Sequence, residues 1–372
     1  MLLSMTIKHN FLCIFAKNLN ALSTFHQLTI SEVKQETPNS VSISFTIPNA
    51  LKDNFVFQAG QYITIRHHFE GKEIRRAYSI CSHPKEEELR VGIKRVKGGV
   101  FSEYANSEIR IGDRLDVMPP EGKFVLEPAS HASKNYAAFV AGSGITPVFS
   151  IIQTALTEEP NSTFSLVYGN QTAKETMFLE DLQHLQKTYP NRLNVQYIFS
   201  REESKNALFG RIDQARVNFL LKNNFHNTNF QDFYLCGPET MINTVSSVLQ
   251  SHNIHSEQIH HELFTTSEDA GDVLVQTHDG DSSITIIVDD ETETFTMPQS
   301  KSILEAALAN DIDAPYSCQG GICSSCIARV TDGKAEMRKN QILTDGEINE
   351  GLILTCQAYP SSAALTVDFD DV

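Results

Sequence analysis

Four cysteines near the C-terminus have a spacing that suits an iron–sulfur cluster. Cys318, Cys323 and Cys326 form the pattern C-x4-C-x2-C, and Cys356 follows after 29 intervening residues. Two irons bridged by two sulfides need four thiolates, and this spacing supplies three of them from one tight loop. The glycines at 320 and 321 fit as well, because backbone wrapped around a cluster needs positive φ angles and N–H groups that face the sulfurs. The four cysteines are therefore predicted to ligate a [2Fe–2S] cluster.

Zinc is the alternative that these ligand types leave open. Structural zinc sites usually combine C-x2-C with a second C-x2-C or with histidines, whereas the second half of this set supplies only one cysteine. The spacing favours the cluster, which passes one electron at a time. The cluster must receive its electrons from a donor, and three further motifs are candidates for binding a redox cofactor that supplies them.

The first of these motifs suits a flavin. It comprises Arg76, Ala77, Tyr78, Ser79, Lys94, Gly99, Val100, Phe101 and Ser102. A flavin needs a flat aromatic surface, a donor to its reactive nitrogen, and cationic or helix-terminal groups at its phosphates. Tyr78, Ser79 and Arg76 provide these in turn, and Ser102 is expected to cap a short helix that faces the pyrophosphate. The alternative is an exposed arginine beside a packed tyrosine, with no ligand.

The second motif suits a dinucleotide phosphate and lies where a buried strand turns into a helix. It comprises Gly142, Ser143, Gly144, Ile145, Thr146 and Pro147. Glycines allow close backbone approach and the helix dipole favours the phosphate charge, although a tight structural turn remains the alternative. Cys236, Gly237 and Pro238 repeat the arrangement at another strand end, which places a thiol at the carboxyl edge of the sheet. A buried, inert cysteine is the alternative there.

The third motif bears on the choice of nucleotide. Ser200 and Arg201 follow a predicted strand that ends at Phe199. A hydroxyl and a guanidinium at a strand end are the groups that would hold a 2′-phosphate, so the sequence favours NADPH over NADH. The alternative is a surface loop in which Arg201 pairs with Glu202 or Glu203.

The elements that carry these motifs change character along the chain. Up to about residue 132, alternating apolar residues predict six short strands, which favour a small antiparallel β-barrel. Buried apolar strands then alternate with helical patterns, which indicates a doubly wound α/β parallel sheet. Beyond a polar, Gly/Asp-rich segment, a hairpin and a helix capped by Ser302 precede the cluster cysteines, giving an α+β domain. The predicted divisions are a tail (1–24), an FAD-binding barrel (25–132), an NAD(P)-binding domain (133–264), a linker (265–281) and a [2Fe–2S] ferredoxin domain (282–372).

Composition excludes some classes of protein and favours others. The 372 residues carry a formal net charge of −16, which argues against a nucleic-acid surface. Residues 282–372 contain 15 acidic and 5 basic side chains, so this segment holds much of the charge. An acidic face on an electron carrier suits docking to a basic partner, with a merely solvated surface as the alternative. The polar breaks in the first 23 residues argue against a signal peptide or a membrane span, so a cytoplasmic protein is expected.

Taken in order, the motifs resemble those of the ferredoxin–NADP reductase superfamily. The motifs in question are Arg76-x-Tyr-Ser79, Gly98-Gly-x-x-Ser102, Gly142-Ser-Gly-Ile-Thr-Pro147, Cys236-Gly-Pro238 and His261-Glu-Leu-Phe264. With a C-terminal segment similar to plant-type ferredoxins, the chain from about residue 25 resembles the reductases of multicomponent oxygenases. Glu336-Met337 and Leu354-Thr-Cys-Gln357 are further similar to the reductases of phenylacetyl-CoA epoxidases and 3-ketosteroid 9α-hydroxylases.

The resemblance implies a role for each motif. Arg76, Tyr78 and Ser79 would hold FAD, with Ser79 near flavin N5, and the segment 99–102 would contact the diphosphate. The segments 142–147 and 236–238 would hold the nicotinamide nucleotide, with Cys236 near its ring. Phe264 stands where plant-type reductases have a terminal tyrosine that stacks on the flavin. Ser79, Cys236 and Phe264 are accordingly the expected catalytic residues.

The expected activity is electron transfer from NADPH through FAD and the [2Fe–2S] cluster to a separate protein. The resemblance implies an oxygenase as the acceptor, and a di-iron phenylacetyl-CoA epoxidase in particular. A Rieske oxygenase, a desaturase and a hybrid-cluster protein remain alternative acceptors. A redox-sensing protein is the alternative from another class, although no effector or DNA-binding segment is visible in the sequence.

Overall fold

Three main sheets, each with its own hydrophobic core, make up the protein. The computed structural model describes residues 25–86, 88–264 and 280–372. The predicted tail (1–24) and most of the predicted linker (265–281) lie outside the described residues. The first two sheets have six strands each and the third has five. This architecture confirms the predicted fold class of an antiparallel β-barrel, a doubly wound parallel sheet and an α+β ferredoxin domain.

The first sheet is antiparallel and closes into a barrel. Its strands are β1 (His26–Thr37), β2 (Ser40–Thr46), β3 (Tyr62–Phe69), β4 (Lys72–Ser79), β5 (Leu89–Lys94) and β6 (Arg114–Val117). They are ordered β4-β3-β6-β1-β2-β5, and a bridge between Ile80 and Val91 joins the two edge strands. Alternating apolar residues fill the interior, as strand geometry requires. Helix α1 (Val100–Ser107) covers one end of the barrel.

The second sheet is entirely parallel. Its strands are β7 (Asn135–Ala141), β8 (Thr163–Asn170), β9 (Leu193–Phe199), β10 (Ala207–Phe209), β11 (Asp232–Cys236) and β12 (Ile259–Glu262). They are ordered β10-β9-β8-β7-β11-β12. The helices are α2 (Ile145–Glu158), α3 (Leu179–Thr188), α4 (Gln214–Asn223) and α5 (Glu239–Ser251). Successive residues of β7 join opposite cores, because Ala138 packs with α2 and α3 whereas Phe139 packs with α4 and α5.

The third sheet carries the cysteine-rich loop. Its strands are β13 (Asp281–Val288), β14 (Glu291–Pro298), β15 (Ile327–Asp332), β17 (Leu352–Leu354) and β19 (Ala364–Asp368), and β16 (Ala335–Met337) pairs separately with β18 (Ala358–Pro360). The helices are α6 (Ile303–Ala309) and α7 (Asp345–Asn349). Ser302 caps α6 through Glu305, as predicted, in a reciprocal capping box. Residues 310–326 connect the end of α6 to the start of β15 and contain three of the four cysteines; we call this segment the cluster loop.

One local prediction was wrong. Ser102 does not cap α1, because Gly99 occupies the N-cap position and Ser102 lies inside the first turn. The Ser102 hydroxyl instead donates to the Gly99 carbonyl at 2.9 Å and accepts the N–H of Val96 at 3.1 Å, so it folds the preceding turn onto the helix. Within the described residues, no helix is both long enough and apolar enough to cross a membrane.

Candidate active site and cluster loop

The four predicted cluster ligands come together as two pairs of thiols. All four are free thiols: Cys318 forms a hydrogen bond with Cys323, and Cys326 forms one with Cys356. A cluster with two irons and four cysteine ligands needs two thiolates at each iron, so this pairing fits the group. The register of β15 and β17 explains how Cys356 reaches the loop, since Ile327 lies opposite Leu354.

The backbone of the cluster loop is arranged for a negatively charged sulfur. The N–H of Gly320 lies 3.3 Å from Cys318 Sγ. The Cys323 thiol, together with backbone N–H groups of residues 320, 322 and 323, lowers the pKa of Cys318 to about 6. Gly321 has a φ of +72°, and a Cβ there would lie 2.9 Å from the Lys339 carbonyl oxygen. The predicted need for glycine is therefore confirmed at position 321, where both conformation and space exclude a side chain, but it was wrong for Gly320, whose φ is not positive.

The predicted flavin residues line one end of the barrel. Arg76 and Tyr78 share a face of β4, with Arg76 exposed. The Tyr78 ring lies 5.6 Å from the Phe101 ring, which joins β4 to the first turn of α1. No side chain of the described residues caps the N-terminus of α1, so its first N–H groups are available to a phosphate. An aromatic ring, a guanidinium and a helix N-terminus without the predicted Ser102 cap therefore form a surface that fits a flavin diphosphate.

The glycine-rich segment and the Cys236 segment meet at the carboxyl edge of the parallel sheet. A Cβ on Gly144 would lie 2.3 Å from the Cys236 carbonyl oxygen and 3.0 Å from its sulfur. Residues 142–144 form a 3-10 turn that leads into α2, and in the part of the chain that the structure describes no side chain caps that helix. Lys94 reaches across from the barrel, with its Nζ 3.4 Å from the position that a Cβ on Gly142 would take. An uncapped helix N-terminus and a lysine are thus brought together, which fits the predicted phosphate site.

Three groups converge where the barrel meets the parallel sheet. Ser79 Oγ donates a hydrogen bond of 3.2 Å to Glu262 Oε2, and Glu262 lies opposite Cys236 in the β11–β12 register. Burial of the Glu262 carboxyl raises its pKa to about 8. Burial, followed by the nearby Glu262 charge, raises the pKa of the Cys236 thiol. Burial therefore favours the neutral form of both groups. Phe264 lies two residues beyond Glu262 and packs against the sheet core.

The predicted 2′-phosphate residues also lie at this edge. Ser200 and Arg201 follow β9, and their N–H groups bond to the carbonyls of Asn170 and Gln171, both at 2.9 Å. Among the residues that the structure describes, Arg201 forms no ion pair and its side chain is exposed. Glu202 instead accepts the N–H of Ala173 at 2.9 Å, so it is not the partner of Arg201.

A cavity of about 200 Å³ lies where the three sheets meet. Its walls include Tyr62 and Phe124 from the barrel, Glu262 from the parallel sheet, and Cys323 and Ser324 from the cluster loop. The cavity is therefore lined both by Glu262, the hydrogen-bond partner of Ser79, and by Cys323, a predicted cluster ligand. The predicted flavin site and the predicted cluster loop thus both border the junction of the three sheets.

Three residues of this region were not predicted from the sequence. Glu262 lies within the motif 261–264 but was not assigned a role, although a carboxylate at the end of a strand of the parallel sheet was a usable signal. Tyr62 and Glu121 contact Ser324 and Ser325 of the cluster loop. No sequence signal could have found them, because their partners are more than 200 residues away in the chain.

Three domain families match successive parts of the chain. Residues 27–126 match the oxidoreductase FAD-binding domain, residues 139–247 the oxidoreductase NAD-binding domain, and residues 286–361 the 2Fe-2S iron–sulfur cluster binding domain. The three matched ranges fall in turn on the barrel, on most of the parallel sheet and on most of the sheet that carries the cluster loop. The protein is accordingly an NAD(P)H oxidoreductase with FAD-binding, NAD-binding and [2Fe–2S] domains.

Similar proteins share this arrangement over almost their whole length. One subunit of the 1,2-phenylacetyl-CoA epoxidase of Escherichia coli (strain K12) is 37% identical over 351 residues, covering 94% of this chain and 99% of the relative. The ferredoxin reductase component of the 3-ketosteroid-9-alpha-monooxygenase of Rhodococcus rhodochrous is 33% identical, covering 92% and 96%. Phthalate dioxygenase reductase, a modular structure for electron transfer from pyridine nucleotides to [2Fe–2S], has the same fold, with a TM-score of 0.58, 24% identity and coverage of 93% and 98%. The chain therefore belongs to the ferredoxin–NADP reductase superfamily, in the group of reductases that carry a C-terminal [2Fe–2S] ferredoxin domain.

Proposed function

We propose that the protein transfers electrons from NADPH through FAD and its [2Fe–2S] cluster to a partner oxygenase. The observation that carries this proposal is the cavity at the junction of the three sheets, which has Glu262 on one wall and the cluster ligand Cys323 on another. FAD, when bound, would accept two electrons together and release them singly, as a one-electron cluster requires. No side-chain nucleophile is needed for this chemistry, which agrees with the neutral state of Cys236.

The chain's own residues would bind and orient the cofactors. Arg76 and the open N-terminus of α1 would hold the FAD diphosphate, while Tyr78 would lie against the flavin ring. Ser79 would place its hydroxyl near the reactive nitrogen, held in place by its hydrogen bond to Glu262. Lys94 of the barrel would contact a cofactor phosphate as well, because its Nζ lies beside Gly142 of the glycine-rich turn.

The nicotinamide nucleotide would bind along the carboxyl edge of the parallel sheet. The turn at 142–147 and the segment 236–238 would contact its phosphates and nicotinamide ring, and Phe264 would cover the flavin face until the nucleotide arrives. Ser200 and Arg201 would hold a 2′-phosphate, which favours NADPH over NADH. The absence of an ion pair at Arg201 within the described residues supports this role, because the guanidinium is free to meet a ligand.

The proposed acceptor is the di-iron oxygenase of a phenylacetyl-CoA epoxidase, which would place the protein in phenylacetate catabolism in the cytoplasm. The 37% identity to the Escherichia coli epoxidase component, over 94% of this chain, supports this choice. The acceptor would dock on the ferredoxin domain, whose 15 acidic and 5 basic side chains in residues 282–372 favour a basic partner surface.

Reconstitution tests the proposal directly. The purified holoprotein, NADPH, phenylacetyl-CoA and a purified di-iron epoxidase should consume substrate only when all components are present. Cys318→Ser should remove the cluster absorbance and lower cytochrome c reduction on the order of tenfold or more, while ferricyanide reduction, which needs only the flavin, continues. Substrate consumption with a Rieske oxygenase but not with the epoxidase would reject the proposed acceptor. Unchanged cytochrome c reduction by Cys318→Ser would reject the whole electron path.

A further inference from the structure

A tyrosine and a glutamate of the barrel form hydrogen bonds with the cluster loop. The Tyr62 hydroxyl lies 2.9 Å from Ser324 Oγ and 3.1 Å from Ser325 Oγ, and it accepts the Ser324 N–H at 3.2 Å. Ser325 Oγ donates to Glu121 Oε2 at 2.8 Å. These two serines are the residues between the cluster ligands Cys323 and Cys326, so the contact reaches the loop between two of its ligands.

The barrel side of this contact is held in place by its backbone. The Tyr62 N–H donates to the Glu121 carbonyl at 2.8 Å, and the Glu121 N–H donates to the Tyr62 carbonyl at 2.9 Å. Tyr62 and Ser325 are each 5% exposed, so the hydrogen bonds between them are shielded from water. A buried donor or acceptor that loses its partner costs more free energy than one at the surface. The contact is therefore able to fix the position of the loop.

A second contact holds the segment that precedes the cluster. The Arg75 guanidinium bonds to Glu73 at 2.7 Å and to Asp313 at 2.8 Å, and it lies 4.1 Å from the centre of the Tyr316 ring. Tyr316 comes two residues before Cys318. The loop is thus attached to the barrel both before its first cysteine and between its later ones, which sets its orientation as well as its position.

We propose that Tyr62 and Glu121 are positioning residues that hold the cluster loop against the flavin barrel in the arrangement that receives electrons. The inference rests on the proposed electron path. It adds that the ferredoxin domain need not move to accept an electron, because the docked arrangement is built into the fold. A loop displaced by even about 1 Å from a productive geometry would lose much of the transfer rate.

Tyr62→Phe is the sharpest variant, since it removes the hydroxyl and keeps the ring. The chain offers a matched control in Tyr136, whose hydroxyl donates to Glu159 Oε2 at 2.8 Å inside the parallel-sheet domain. Ser162 Oγ donates to the same carboxylate at 2.7 Å, so the control group repeats the tyrosine, glutamate and serine of the barrel contact without touching the cluster loop. Tyr136→Phe therefore measures the effect of losing a buried tyrosine hydroxyl alone.

Rapid mixing of each holoprotein with NADPH separates flavin reduction from cluster reduction by their absorbance changes. Tyr62→Phe should slow cluster reduction about tenfold, which corresponds to about 1.4 kcal/mol, and leave the rate of flavin reduction unchanged. The midpoint potential of the cluster should also stay at its wild-type value. Amide hydrogen exchange should accelerate across residues 320–327 in Tyr62→Phe and Glu121→Ala, and not in Tyr136→Phe.

Three results would overturn the proposal. They are wild-type cluster reduction in Tyr62→Phe and Glu121→Ala, an equal slowing in Tyr136→Phe, and a potential shift large enough to account for the slower rate. Each leaves the electron path itself intact, because wild-type protein would still reduce its cluster with NADPH. A wild-type cluster that NADPH never reduces would instead reject the path, and the positioning role would fall with it.

Discussion

Ser79 Oγ and Glu262 Oε2 are 3.2 Å apart, which joins the last residue of β4 to the last residue of β12. The two residues are 183 positions apart in the chain and belong to different sheets. Their hydrogen bond closes the barrel onto the carboxyl edge of the parallel sheet, beside Cys236. Burial raises the pKa of Glu262 to about 8, which favours the protonated carboxyl in the folded protein.

Glu262→Gln should flatten the pH dependence of stability. The pKa of Glu262 is about 8 in the folded protein and about 4.5 when exposed, so between these values the folded state binds one proton more. Stability therefore falls as the pH rises through this window and levels off above it. A glutamine cannot titrate and should lose this slope. Melting temperatures of the holoprotein, measured in steps of pH, would show the difference.

Glu257→Gln is the control for this experiment. Glu257 is an exposed glutamate in the short turn before β12. Its replacement should leave the pH dependence as it is in the wild type. Identical slopes in wild type and Glu262→Gln would show that the Glu262 carboxyl is ionised in the folded protein at neutral pH.

Gly144→Ala should weaken both stability and NADPH binding. The added Cβ would lie 2.3 Å from the Cys236 carbonyl oxygen, so the ends of β7 and β11 must separate. Overpacking of this kind typically costs about 1–3 kcal/mol. Thermal unfolding and NADPH titration would measure the two effects. Gly346→Ala is the control, since its nearest atom would be 3.9 Å away, and a wild-type result for Gly144→Ala would contradict the tight contact.

Arg201→Ala should change the preference between nucleotides. A charge-assisted hydrogen bond to a phosphate contributes about 1.5–3 kcal/mol, so kcat/KM for NADPH should fall about tenfold or more. The value for NADH, which lacks the 2′-phosphate, should stay close to that of the wild type. Lys205→Ala, an exposed cation in the same loop, is the control. An equal fall with both nucleotides would argue against a 2′-phosphate site.

Arg75→Met should loosen the attachment of the ferredoxin domain. The side chain is 4% exposed and bonds to both Glu73 and Asp313, so the replacement removes the ion pair that joins the barrel to Asp313 of the cluster loop. We expect a loss of about 1–2 kcal/mol in the free energy of unfolding, measured by denaturant titration. Arg114→Met is the control, because Arg114 is an exposed arginine of the same barrel that bonds to Gln27. Equal losses in the two variants would show that the buried Arg75 contact adds nothing to the free energy of unfolding.

The sequence by itself determined the chemistry of each segment. Cysteine spacing indicated a two-iron cluster, and Gly142–Pro147 indicated a phosphate-binding turn because such turns are set by neighbouring residues. Alternating and helical apolar patterns predicted the three kinds of sheet, since side-chain direction repeats with the local backbone geometry. One local prediction also failed. Ser102 has a side chain that often caps helices, but the backbone places Gly99 at the N-cap position of α1.

Only the tertiary structure decided how these segments meet. Ser79 forms a hydrogen bond with Glu262, and Tyr62 forms hydrogen bonds with Ser324 and Ser325. These partners are so far apart in the chain that no local sequence pattern predicts the contacts. Such contacts depend on how whole sheets pack, which is set by the sum of many weak apolar contacts in each core. The fold thereby brings the predicted flavin, nucleotide and cluster segments to one junction, where the cluster loop lies beside the barrel.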